Sequence, residues 1–148
     1  MSYLVDTNIL LRSADPSHPM FSIAINAMDV LLSQGENMYI TPQNLIEFWN
    51  VATRPQEKNG LGYSISETQQ EISRIKSILP LMLDTPAIFK QWETLVKTDQ
   101  VKGVNVHDAR LVAVMIVNKL SHILTFNVDD FRRYNSEITI VHPNEINS

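Results

Sequence analysis

Hydrophobic residues fall into short runs and helical stripes that alternate along the chain. The first run, Tyr3-Leu4-Val5, suits a covered strand, and Asp6-Thr7-Asn8 behind it bends the backbone rather than extending it. Over residues 20–32 apolar side chains recur at helical spacing (Phe21, Ala24, Ile25, Met28, Leu31, Leu32). Pro19 is expected at the first position of that helix and Gln34-Gly35-Glu36-Asn37 as its stop. Met38-Tyr39-Ile40 is a short strand pattern. Thr41-Pro42 joins a hydroxyl cap to a proline at the first helical position; the helix carries Leu45, Ile46, Phe48, Trp49, Val51 and Ala52 and ends near Thr53-Arg54-Pro55. Residues 56–63 are polar and glycine-containing, a loop pattern. Ser66-Glu67-Thr68-Gln69 has the form of a capping box, backed by a stripe of Ile72, Ile75, Ile78 and Leu79. Leu81-Met82-Leu83 predicts a further strand, and Thr85-Pro86 opens a helix whose core face is Ile88, Phe89, Trp92, Leu95 and Val96. Residues 109–120 are apolar nearly all round, as in a central buried helix. Residues 121–126 and 138–141 predict the last two strands.

Strands alternating with helices predict parallel strands joined by crossover helices on both faces, an α/β fold in the form of a three-layer α/β/α sandwich. A chain of 148 residues is the size of one domain, and 1–148 is read as one. Hydrophobic residues at 44% support a real core, and 19% charged residues are too few for disorder. A net charge of −4 argues against a protein that grips nucleic acid through overall positive charge, but leaves room for a basic rim around an acidic site. With no cysteine, disulfides, thiolate zinc sites and thiol catalysis are excluded. No basic-then-apolar leader precedes Asp6, and the longest apolar run, 111–117, is too short to span a bilayer. A cytoplasmic protein with no membrane partner is the expectation.

Four polar positions stand where an apolar element begins, ends or is interrupted. Asp6 follows the first strand, Glu47 lies among Leu45, Ile46, Phe48 and Trp49, and Asp108 opens the buried helix. Asn127 follows strand 121–126, with Asp129 and Asp130 close behind. Each has an ordinary reading taken alone: a turn former, a solvent-facing or Arg54-paired acid, a first-turn helix acid, a strand-end amide. Together they read differently. In a doubly wound sheet the ligand crevice opens beyond the carboxyl ends of the strands, where strand order reverses. If the first strand and strand 121–126 flank that point, Asp6 and Asn127 face each other across it. Two carboxylates about 4 Å apart repel by roughly 4 kcal/mol at an effective dielectric near 20, so acids converge only with a cation or a raised pKa. All-oxygen ligands suit Mg²⁺ or Mn²⁺, which can activate water and stabilise charge on a phosphodiester oxygen.

With Val5-Asp6-Thr7-Asn8 at the start, Glu47 after the second strand, His107-Asp108-Ala109 at the late buried helix and residues 124–131 (LTFNVDDF) near the end, the chain resembles the PIN-domain ribonucleases, especially VapC-like toxins of toxin–antitoxin systems. The resemblance covers essentially the whole chain. It implies a parallel sheet of about five strands and Mg²⁺- or Mn²⁺-dependent endonucleolytic cleavage of RNA. It further implies a cognate antitoxin as partner and a homodimer. Carried over by position, Asp6, Glu47 and Asp108 match the family's first three acids. The fourth acid is Asn127 here, with Asp130 just before the phenylalanine as in some similar chains. Asn8 and Thr125 match positions that support the site by hydrogen bonds. The implied catalytic set is therefore Asp6, Glu47, Asp108 and Asn127, with Asp6 and Asp108 holding the metal.

Substrate RNA also needs cations. Arg54, Lys58 and Arg110 lie near these acids in sequence and are the expected substrate-binding residues; Arg12, Arg132 and Arg133 are further cations in the neighbourhood. Gly60-Leu61-Gly62-Tyr63 is not a phosphate loop, because it follows a helix and no Lys-Ser/Thr comes after it. A receiver domain would want an acid pair at the first strand and a late lysine, and has neither here. The weightier alternative is a PIN fold without activity that binds RNA or protein, since Asn127 removes one charge from the cluster. A DNA- or flap-cleaving enzyme is a third, without the extra helical arch such an enzyme would want.

Overall fold

The computed structural model describes residues 1–147. Its order is β1 (Ser2–Val5), α1 (Thr7–Ser13), α2 (Phe21–Ser33), β2 (Asn37–Tyr39), α3 (Pro42–Thr53), α4 (Ile65–Ile78), α5 (Pro86–Thr98), α6 (Asn105–Asn118), β3 (His122–Leu124) and β4 (Thr139–Val141). A 3₁₀ segment, Val128–Tyr134, links the last two strands. All strands pair in parallel, in the order β2-β1-β3-β4. The protein is thus an α/β sandwich with a central parallel sheet of 4 strands. What would have been the fifth strand is reduced to one parallel bridge between Ile40 and Leu81. There Ile40 N–H donates to Pro80 O and Met82 N–H to Ile40 O, and the ladder stops.

Side chains alternate across the sheet, and this divides the core. Tyr3, Val5, Met38, Leu124 and Val141 face one layer, packed by α1, α2, α3 and Ile75 of α4. Leu4 and Ile123 face the other, packed by α5, α6, Phe131 and Tyr134. The chain moves to one side from β1 to β2 and to the other side from β3 to β4. Right-handed crossovers therefore place their connections on opposite faces. The reversal falls between β1 and β3, which register Val5 against Leu124.

Several local expectations shift. Helix α2 begins at Phe21, so Pro19 precedes its cap, Met20, instead of opening the helix. The capping box of α4 is Ser64 with Glu67, two residues before the expected one: Ser64 Oγ accepts from Glu67 N–H and Glu67 Oε1 from Ser64 N–H, each at 3.0 Å. Ile78, expected in the buried stripe, is exposed, as is Phe89 of α5. The loop after α3 folds back on that helix: Leu61 N–H donates to Val51 O and Gly62 N–H to Arg54 O. Gly60 packs so closely that a Cβ there would lie 2.0 Å from the Arg54 carbonyl oxygen. Among the described residues, no helix is long and apolar enough to cross a membrane.

Leu4 is fully buried in the middle of the sheet. Leu4→Ala should lower unfolding stability by about 2–5 kcal/mol, because the surrounding layers collapse only partly around the cavity. Urea denaturation checks this, and a loss below about 1 kcal/mol would mean that this layer repacks freely.

Candidate functional site

The site grows from the carboxyl ends of β1 and β3. Asp6 is the first residue beyond β1 and caps α1. It is 7% exposed. Its Oδ1 accepts from Thr7 N–H at 2.8 Å, and its Oδ2 from the Thr125 hydroxyl at 2.8 Å and the Asn8 amide at 3.3 Å. Thr125 is fully buried, and its hydroxyl also accepts from Asn8 Nδ2 at 3.2 Å and Asn127 N–H at 3.0 Å. One donor and two lone pairs are then all in use. Asn8 closes the stitch by accepting from Phe126 N–H.

Helix α3 delivers Glu47. The start of α3 is fixed by a box in which Thr41 Oγ1 accepts from Asn44 N–H and Asn44 Oδ1 accepts from Thr41 N–H. Buried Asn44 donates through Nδ2 to the Thr7 hydroxyl at 3.0 Å, and that hydroxyl donates to Glu47 Oε1 at 2.8 Å. Glu47 is held in this way and not by Arg54. One turn earlier, Gln43 donates to Glu47 Oε2 at 3.5 Å and to the His107 carbonyl at 2.8 Å. Helix α6 begins at Asn105, a turn before the expected segment 109–120, and carries half-buried Asp108 in its first turn.

The electrostatics report the convergence. Burial, the largest influence, pushes the Asp6 carboxyl up to about 6; hydrogen bonds from Thr125 and Thr7 pull it down, and the charges of Glu47 and Asp130 add to the rise. Burial first, then the charges of Asp6, Asp130 and Glu47, push Asp108 up to about 7, against the pull of Arg133. Asp6 and Asp108 thus both feel the charges of Glu47 and Asp130, although the four acids come from separate elements. No trio of His, Asp or Glu among the described residues is drawn in closely enough to cage an ion by itself. That donor set suits Mg²⁺ or Mn²⁺, since Mg²⁺ keeps several waters and takes one or two carboxylates.

The other expected residues divide. Asn127 lies at the mouth, exposed, its backbone bound to Thr125 while its side chain has no hydrogen-bond partner among the described residues. Asp130 couples to the buried acids, whereas Asp129 pairs with Arg132 at 2.6 Å. Arg54 caps the far end of α3 and Lys58 lies in the 3₁₀ turn beyond it. Arg54 stands 7 residues past Glu47, roughly 10 Å along the helix. Arg110 is not the free cation expected of a substrate contact: its guanidinium pairs with Asp84 at 2.8 Å and donates to Gln43 Oε1 at 3.0 Å. Gln43 and Thr7 were not legible as site residues, because a glutamine on a helix and a threonine in a turn carry no signal of which acid they will meet.

Between the ordinary aspartate pKa and the raised folded values, the metal-free native state keeps protons that the unfolded chain has lost. Its stability therefore falls as pH rises from about 4 toward 7 on account of these two groups. In EDTA, Asp6→Asn should gain stability relative to the parent across that range, as read by urea unfolding at successive pH values. A difference that does not vary with pH would show that Asp6 ionises normally.

Comparison with known proteins agrees with this architecture. The family model described as PIN domain matches residues 3–137. No curated protein matches the sequence. Among solved structures, VapBC-1 from nontypeable Haemophilus influenzae superposes with a TM-score of 0.71 at 14% identity, covering 97% of this chain and 99% of that one. VapBC2 from Rickettsia felis, bound to a DNA fragment from its promoter, gives 0.67 at 16%, covering 96% and 98%. The sarcin-ricin loop cleaving toxin VapC20 of Mycobacterium tuberculosis gives 0.65 at 17%, covering 88% and 94%. At such identities these likenesses speak for the fold, whereas the family model spans nearly the whole sequence: the chain belongs to the PIN domain family.

Proposed function

We propose that this protein is a divalent-metal-dependent endoribonuclease, a cytoplasmic toxin held in check by a cognate antitoxin and acting as a homodimer. The observation that carries the reading is the convergence of Glu47 and Asp130 on the buried Asp6 and half-buried Asp108 at the reversal point of the sheet. Acids offset only in part, by Arg133 acting on Asp108, are poised for a metal ion. Family membership and the VapBC and VapC structures of the same fold add support.

In this reading Asp6 and Asp108 hold the ion, Mg²⁺ or Mn²⁺. When bound, it supplies Lewis-acid activation of water and neutralises charge on the phosphodiester. Glu47, oriented by Thr7, positions the attacking water and accepts its proton. Asn127, at the mouth, offers a neutral amide to the substrate or the ion's hydration shell, and Asp130 supplies the charge that Asn127 lacks. Thr125, Asn8 and Thr7 keep the Asp6 carboxylate in one orientation, so no reorganisation is needed during reaction. Arg54 and Lys58, beyond the acids at the far end of α3, would meet the RNA to one side of the cut.

The exposed Asn127 and the lack of a closed ligand trio favour one second reading, an inactive PIN fold that binds RNA or protein without cutting. Incubating single-stranded RNA with the purified protein and Mg²⁺, Mn²⁺ or EDTA separates the two. The parent should cut only with metal, and Asp6→Asn should lose at least roughly 100-fold in rate while remaining folded. The same metals should raise the melting temperature of the parent and not of the variant. RNA left intact by a folded parent, with no metal-dependent shift, would decide for the binding module.

A further inference from the structure

We propose that Gln43 is a positioning residue for the proposed nuclease, and that Arg110 and Asp84 act through it as a strut and not as substrate contacts. This rests on the nuclease reading and assigns the machinery that holds two of its acids in place. Gln43 is buried, one turn before Glu47 on α3. Its side chain spans two elements: Nε2 reaches both Glu47 Oε2 and the carbonyl of His107, the residue next to Asp108. Helices α3 and α6 carry like charges that repel, as the effect of Glu47 on Asp108 records. A tie between them must donate twice, because both targets are acceptors, and must not add a further negative charge. A glutamine amide does this; a glutamate would repel Glu47, and an aliphatic side chain would leave both acceptors without a donor.

The orientation of that amide is fixed from behind. Arg110 has only donors, so the oxygen of Gln43 must face Nη1 of Arg110, which turns both N–H bonds toward Glu47 and His107. Arg110 is held in turn by Asp84, just before α5, through Nη2 at 2.8 Å. The chain Asp84–Arg110–Gln43 thus ends on Glu47 and on the turn of α6 that presents Asp108. It gives Arg110, which adjoins the site in sequence, a role that engages both of its terminal nitrogens.

The two roles for Arg110 predict opposite signs. Steady-state cleavage of a short single-stranded RNA with Mg²⁺ should show kcat falling roughly 10- to 100-fold in Gln43→Leu, with KM within about twofold. Arg110→Met and Asp84→Asn should lower kcat less, and neither should change the salt dependence of KM. If Arg110 instead contacts phosphate, Asp84→Asn frees it and lowers KM, and Arg110→Met raises KM and flattens the salt slope by about one unit. Either result overturns the strut. A double-mutant cycle of Asp84→Asn with Gln43→Leu, read by urea unfolding, works even without activity. Non-additive effects support the strut. Additive effects in a parent that cuts RNA overturn the strut alone, whereas non-additive effects in a folded parent that cuts none remove the nuclease reading and the positioning role with it.

Discussion

The fixed point of the molecule is a buried carboxylate at the junction of two parallel strands. Without donors, the Asp6 side chain would be a desolvated charge in a nearly dry position, a cost of several kcal/mol. The donors exist because of strand register. Val5 pairs with Leu124, so the next residues along, Asp6 and Thr125, meet side by side where the ladder ends. The same Thr125 passes its N–H to Val141 and extends the order to β4. A slip of one residue between β1 and β3 would remove the hydroxyl from Asp6 and exchange the two faces of the strand. Site and sheet therefore specify each other.

The donors that hold the acids are neutral. Asp6 is met by a backbone N–H, a hydroxyl and an amide; Glu47 is met by a hydroxyl and an amide. Several of the chain's cations are engaged elsewhere, Arg110 with Asp84, Arg132 with Asp129 and Arg74 with Glu71. Hydroxyls and amides orient a carboxylate without cancelling its charge, so the cluster stays negative, and the Asp6 and Asp108 carboxyls keep raised pKa values. Stability of the metal-free protein is sacrificed locally, which in the proposed nuclease would favour an external cation.

Helix α3 carries most of this arrangement. Its apolar face, Phe48 and Ala52, lies in the core, while Gln43, Asn44 and Glu47 point a row of polar groups at the sheet edge. The row is buried as far as half-buried Glu47 and almost fully bonded, from the Thr41 box through Asn44 and Thr7. A buried network of this kind fixes one geometry when complete and is costly when any member is removed. Asn44 is thus both the box partner of the helix and a brace for the acid three residues later.

The sequence by itself determined what depends on local pattern. Alternation of strand and helix, Thr41-Pro42 at the start of α3, the burial of α6, the acids Asp6 and Asp108 where elements begin or end and Glu47 within an apolar helix were legible, because periodicity, caps and turn chemistry act over a few residues. Where two local signals competed, it did not decide: Ser64 rather than Ser66 caps α4, and the apolar run at Leu81 bonds through one bridge where a strand was expected. Phe89 satisfies the helical stripe of α5 and still faces outward. The tertiary structure alone settled the partners: Thr125 for Asp6, Thr7 for Glu47, Asp84 and Gln43 for Arg110, and Asp130 as a further acid whose charge reaches Asp6 and Asp108. Local pattern fixes where a side chain sits on its own element. Whether an arginine meets a phosphate or an aspartate depends on which distant elements the sheet order brings beside it, and no spacing along the chain encodes that.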